Sequence, residues 1–152
     1  MEGDRTVTVN RHAWHDYDIT ETYECGIVLT GPEVKSARNG RVSLKESYAR
    51  IIGNEAFIIG MHIAPYAQAN RQNLDPTRPR KLLLKRAEIK RLIGKTQERG
   101  FTLVPLKFYF RKGLAKVELG LGRGRAKHDK RRIIAERDAR RDIERELKER
   151  NR

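Results

Sequence analysis

The sequence predicts a mainly β fold: a small closed antiparallel barrel of OB-like form, with flanking short helices and a flexible C-terminal tail. Three observations carry this. Residues 101–110 (FTLVPLKFYF) and 114–121 (LAKVELGL) alternate in polarity on either side of Arg111-Lys112-Gly113, the mark of a β-hairpin. Residues 42–52 and 55–63 repeat the pattern around Gly53-Asn54, a tight-turn pair. The last thirty residues hold only Ala126, Ile133, Ile134, Ala135, Ala139, Ile143 and Leu147 as apolar side chains, too few to enclose a core. The boundary therefore falls near Gly122–Gly124, with 1–122 as the folded body and 123–152 as a basic tail.

Taken in order, residues 16–29 (DYDITETYECGIVL) alternate and then become apolar, which suits a strand with Gly26 as a bulge or bend. Thr30-Gly31-Pro32-Glu33 carries a polar cap, an early Pro and an early acid, the start of a short helix that Asn39-Gly40 ends. The strand pair 42–52 and 55–63 follows. Residues 64–80 hold three of the five prolines and read as an exposed loop. The spacing of Leu82, Leu83, Ala87, Ile89, Leu92 and Ile93 predicts a helix over 81–99, stopped by Gly100. In the closing hairpin, Pro105 marks an edge or a bulge, because proline has no N–H to give a ladder.

Charge narrows the partner class. The 152 residues include 34 Lys and Arg against 20 Asp and Glu, a net +14. The tail has thirteen basic and seven acidic side chains, a net +6, and the body carries the other +8. Such a chain seeks polyanions, nucleic acid first and an acidic membrane surface second. No run approaches the ~20 apolar residues of a spanning helix, so no membrane partner is expected. The N-terminus lacks the layout of a secretory signal, so a cytoplasmic location is expected. A single cysteine, Cys25, excludes an internal disulfide and a Cys-rich zinc site.

Each candidate site has a plainer alternative. In the tail, Gly122-Arg123-Gly124-Arg125 and His128-Asp129-Lys130-Arg131 precede a charged stretch in which pairs such as Arg140–Glu144 and Glu146–Arg150 support a helix. Ala135, Ala139, Ile143 and Leu147 form a narrow stripe on it. Such a helix is marginal in water, so the free tail is expected to be disordered or partly helical; the alternative is a solvated appendage. Arg71, Arg78, Arg80 and Lys81, with Asn70, Asn73 and Tyr66 nearby, suit phosphates and unpaired bases, or else an ordinary polar loop. His12 and His15 lack a third ligand, and 10–16 does not read as a helix, so no metal is expected. Trp14 is either a plug for the barrel end or a stacking platform. Cys25 reads as a buried thiol, and Glu24 as an outward acid able to accept from base amino groups. No phosphate loop, nucleophile elbow or carboxylate pair stands out, so neither an enzyme nor a cofactor is expected. A general RNA-binding module and a small nuclease using His12, His15 or His62 are the rival readings.

Several blocks in order carry a family resemblance: Asn10-Arg11 with His15-Asp16-Tyr17, residues 24–29 (ECGIVL), 31–36 (GPEVKS), Ser47-Tyr48, 75–84 (DPTRPRKLLL), 103–106 (LVPL) and 127–131 (KHDKR). From about Val9 to Leu147 the chain resembles the bacterial small protein B family, the SsrA-binding proteins. The resemblance implies an RNA-binding adaptor that binds the tRNA-like domain of transfer-messenger RNA (tmRNA) and delivers it to stalled ribosomes for trans-translation. It implies an OB-type barrel whose RNA surface includes Asn10, Tyr17, Glu24, Leu83 and the Arg80-Lys81 pair, with Arg11, His15, Lys35 and Arg78 completing the expected set. It also implies a tail that enters the decoding centre and mRNA channel of the small ribosomal subunit through His128, Asp129, Lys130 and Arg131, supported by Arg123, Arg125 and Lys127. Elongation factor Tu and alanyl-tRNA synthetase would be met through the shared RNA. Cys25 stands where the family often has Ala, Trp14 where a basic residue is frequent, and Gly-Arg-Gly-Arg at 122–125 where a Lys-rich stretch is usual.

Overall fold

The structure, a computed structural model, describes residues 4–66, 75–98, 100–124 and 129–150; in the last segment side chains are described at 137–148 and 150. The elements are β1 (Arg5–Val9), α1 (Arg11–Asp16), β2 (Tyr17–Ile27), α2 (Gly31–Arg38), β3 (Val42–Ser43), β4 (Tyr48–Ile52), β5 (Glu55–Ile59), β6 (His62–Ile63), β7 (Arg80–Leu83), α3 (Arg86–Gln97), β8 (Phe101–Arg111), β9 (Leu114–Gly124) and α4 (Asp129–Arg150).

The strongest alternation makes the longest strands. β8 and β9 form the expected hairpin around Lys112 and Gly113, both at positive φ, and β9 pairs along its other edge with β2. The main sheet runs β1-β8-β4-β5-β7-β2-β9, and the further β8–β9 pairing closes six of these strands into a ring, all antiparallel. Inward-facing side chains fill it: Cys25, Ile58, Leu82, Leu103, Phe108, Val117, Leu119 and Leu121, with Leu92 of α3 joining them. A second cluster, Ala13, Tyr17, Val104 and Leu106, lies under α1.

The sequence signals for α2 hold in full. Thr30 Oγ1 accepts from the Glu33 N–H, and the Glu33 carboxylate accepts from the Thr30 N–H at 2.9 Å, a reciprocal capping box. The register of β8 also shifts at Pro105, where a missing N–H is tolerated.

Other expectations fail for identifiable reasons. The predicted strand 42–52 is interrupted between β3 and β4, where Glu46 has φ +61°, and its partner 55–63 is interrupted at Gly60, φ +83°. The two breaks face each other, since a Cβ on Gly60 would lie 3.1 Å from the Glu46 carbonyl oxygen. The start of the predicted helix 81–99 is strand β7, which pairs with β5 and β2 and completes the ring; α3 begins only at Arg86. Sheet closure outweighs a helical period there. The irregularity of β2 falls between Ile19 and Glu21 rather than at Gly26, which pairs regularly with Leu83 and Lys116. Strand β1 carried no sequence signal, and residues 10–16, expected not to be helical, contain helix α1. Asn10 makes α1 possible: its Oδ1 accepts from the Ala13 N–H and its Nδ2 donates to the Pro105 carbonyl at 2.9 Å. β9 continues through Arg123 and Gly124, slightly beyond the expected edge of the body. Past residues 125–128, α4 is one unbroken helix.

Candidate nucleic-acid interface

The outer face of β2 and β7 gathers several of the sequence-predicted residues. Strand alternation divides β7: Arg80 and Leu82 point inward, Lys81 and Leu83 outward. Leu83 is 51% exposed and Val28, just beyond β2, is 47% exposed, unusual for large aliphatic groups on a ring of this size. Gly26 makes room for Leu83, because a Cβ there would lie 3.3 Å from the Leu83 Cβ. Lys81 is exposed, and its only described ion pair, to Glu55, is long at 3.5 Å.

Glu24 lies on the same strand and also faces outward. It sits directly opposite Glu118 on β9, a like-charge pairing that is unfavourable unless compensated. Arg111 donates to Glu24 at 2.8 Å, and Lys107 lies 3.5 Å from Glu118. Burial and the nearby Glu24 charge push the Tyr109 phenol up to about 12, so it stays a neutral hydroxyl beside the carboxylate. Glu24 is thus a held, accessible acceptor in a basic setting.

Arg80 and Tyr17, both in the predicted contact set, are buried within the fold. Arg80 is 1% exposed. Its Nε donates to Glu33 at 2.6 Å, and its other nitrogens donate to the carbonyls of Met61 at 2.7 Å and Pro76 at 2.9 Å. Every nitrogen is engaged, so Arg80 cannot reach a phosphate with the ring intact. Arg78 also binds Glu33, through contacts of 3.1 and 2.5 Å, and remains partly exposed. Burial alone would raise the Glu33 pKa; hydrogen bonds from Arg78, the Thr30 N–H and Arg80 outweigh it and hold the carboxyl below its usual range. One carboxylate thereby joins α2 to the segment leading into β7. Tyr17, 2% exposed, belongs to the cluster under α1 and presents no face to a partner.

The remaining predicted residues divide by location. Asn10 is committed to the cap and to Pro105, so it positions α1. α1 displays Arg11, His12, Trp14 and His15 outward; Trp14, at 49% exposure, is no plug. His15 lies 3.3 Å from Asp16. Lys35 is exposed, with its ammonium 5.5 Å from the Tyr66 ring centre. Arg123 lies over Phe101 at 4.5 Å. Asp129, Lys130 and Arg131 form the first turn of α4. Arg125, Lys127 and His128, together with Asn70, Arg71 and Asn73, lie outside the described residues. Cys25 is fully buried and its thiol is pushed up to about 12 by that burial, as a structural cysteine should be. Among the described residues no three of His, Cys, Asp and Glu are grouped to hold a metal, and no helix is long and apolar enough to cross a membrane.

Sequence reasoning missed Val28, Arg111 and the link between Glu21 and Arg91. The Arg91 hydrogen bonds, with one from Tyr23, lower the Glu21 pKa to about 2 and tie α3 to β2. Strand register and the packing of α3 beside β2 bring these residues together, and no local motif signals it.

Fold and charge define a class: a basic, mainly β protein that shows cationic, aliphatic and aromatic groups on one body and carries a charged terminal helix. Its relatives make the class specific. The model of the SmpB protein family matches residues 7–149, so the chain belongs to that family. It is 58% identical over 148 residues to the SsrA-binding protein of Acetivibrio thermocellus, covering 97% of this chain and 96% of the relative. It is 55% identical over 148 residues to that of Desulfitobacterium hafniense, covering 97% and 95%. A solved chain from a study called "tmRNA-SmpB: a journey to the center of the bacterial ribosome" is 52% identical, with TM-score 0.67, covering 82% of this chain and 88% of that one.

Proposed function

We propose that this chain is a non-enzymatic RNA-binding adaptor that binds the tRNA-like domain of tmRNA and delivers it to stalled ribosomes in trans-translation. The observation that carries the reading is family membership over nearly the whole chain, together with a 52% identical neighbour from the tmRNA–SmpB ribosome study. We read the strand ring as an OB-like barrel, residues 1–122 as the RNA-binding body and 123–152 as the ribosome-directed tail. Lys81, Leu83 and Glu24 form the contact surface on β2 and β7, with Lys35 and Arg78 at its margin and Arg11, His15 and Trp14 as a second patch on α1. Asn10, Tyr17 and Arg80 support these surfaces from within.

In this reading Lys81 meets a phosphate, Leu83 and Val28 pack on exposed sugar or base faces, and Glu24 accepts from a base amino group. His128 stacks on a ribosomal base, and Arg123, Arg125, Lys127, Lys130 and Arg131 neutralise ribosomal RNA around it, with Asp129 among them. Elongation factor Tu and alanyl-tRNA synthetase are reached through the shared RNA. The protein works in the cytoplasm and needs neither metal nor cofactor.

The test is competition. Labelled tmRNA bound to the full chain should resist a large excess of bulk tRNA, and displacement by that excess would make the protein a generic RNA binder. Salt dependence does not discriminate, because phosphate neutralisation gives both a steep slope.

A further inference from the structure

The outer face beside Glu24 is hollowed. Strands β2, β9, β8 and β1 lie side by side there, with Glu24 opposite Glu118, Glu118 opposite Lys107, and Tyr109 opposite Thr6. A shallow basin of about 360 Å³ opens among these side chains, with Arg111 on its wall. Arg111 Nη1 donates to Glu24 Oε2 at 2.8 Å, across 87 residues of sequence. The Tyr109 hydroxyl bonds to the same carboxylate. Lys107 lies 5.0 Å from the centre of the Tyr109 ring and 3.5 Å from Glu118, so each of the two facing acids has a cation beside it. A carboxylate accepts at about four lone-pair positions, so two donors leave Glu24 with room for another. Phosphate cannot be that donor, whereas the exocyclic amino group of an unpaired base can.

We propose that this basin seats one unpaired, amino-bearing base of the bound RNA, with Glu24 accepting from the amino group and Arg111 holding the Glu24 carboxylate in place. The proposal rests on the RNA-binding function above and names the ligand of one part of that surface. Arg111 is here a positioning residue, acting through Glu24 rather than on the RNA. A free glutamate side chain is rotamer-rich, and fixing it costs entropy at the moment of binding. Arg111 and Tyr109 meet that cost during folding, which leaves the acceptor preorganised for its partner. The same contacts balance the two facing acids, so a phosphate backbone can approach the rim of the basin.

The test modifies tmRNA sparsely, with dimethyl sulfate at adenine and cytosine and with kethoxal at guanine, and compares RNA bound by the full chain with RNA left free. At least one modified base should be excluded from wild-type complexes yet tolerated by Glu24→Ala; if no position behaves this way, the seat is overturned. A double-mutant cycle then tests Arg111, with urea unfolding as the check that each variant is folded. Arg111→Ala should weaken tmRNA binding about tenfold in the wild-type background and within about twofold in the Glu24→Ala background, with an unchanged salt slope. No loss in either background, equal losses in both, or a slope lower by about one would overturn the positioning role, the last by making Arg111 a phosphate contact. A chain that binds bulk tRNA but not tmRNA contradicts the proposed function, and the same interference experiment on bulk tRNA then decides the seat. A chain that binds neither has no such seat.

Discussion

The ring and the tail helix use the same residue type in opposite ways. In the ring, Arg78 and Arg80 bind Glu33, Arg91 binds Glu21 and Arg111 binds Glu24, each joining distant parts of the chain. In α4, Arg140 bonds, among the described residues, to Glu144, one turn away. These four body arginines are committed to holding the fold, whereas the ion pair of Arg140 stays within its own helix. The lesson is that net charge does not locate a polyanion site. The body's +8 leaves a few outward cations arranged by shape, while most of the tail's +6 comes from Arg123, Arg125, Lys127 and Arg152 outside α4, which is itself only +2.

The largest effect should come from breaking that commitment at its centre. Arg80→Ala strips the buried side of Glu33 and leaves the Met61 and Pro76 carbonyls without their donor, so stability should fall by about 3–5 kcal/mol. Urea unfolding measures this, and a loss within the range of ordinary surface changes would mean that Arg80 is dispensable to the ring. Next is Glu33→Gln, read against pH. The folded-state pKa of Glu33 is depressed, so its contribution is fully present above the unfolded value of about 4.3 and is lost as pH falls through the lower folded value. The stability gap between wild type and Glu33→Gln should be widest near neutrality and close in acid; a constant gap would place the effect in packing rather than charge.

On the outward face the readout changes from stability to affinity. Glu24→Arg should weaken tmRNA binding although it adds positive charge, and tighter binding would show that bulk electrostatics governs that face. The smallest stability effect belongs to Lys81→Ala, within about 0.5 kcal/mol, with a severalfold loss of tmRNA affinity and a salt slope lower by about one. An unchanged slope would remove Lys81 from phosphate contact.

The elements visible in the sequence were those with local causes. The capping box of α2, the turn at Gly53-Asn54, the β8–β9 hairpin and the Pro105 bulge each arise from a few adjacent residues. Those that were hidden have distant causes. β7 is a strand because β5 and β2 flank it, the 42–52 strand breaks where Gly60 backs against Glu46, and α1 forms because Asn10 reaches Pro105 across the chain. The same division runs through the site. Glu24 was rightly placed outward by alternation, Lys81 and Leu83 entered through the resemblance while their strand was read as helix, and the burial of Arg80 depends on an acid 47 residues away in sequence. Tyr17 is buried by a helix whose existence the sequence did not announce.

The most direct measurement removes residues 123–152 and follows two quantities in parallel, tmRNA affinity and peptidyl transfer to tmRNA on stalled ribosomes. If the ring recognises the RNA and the tail serves the ribosome, affinity should largely survive and transfer should collapse. Lost affinity with proportionate residual transfer would contradict that division.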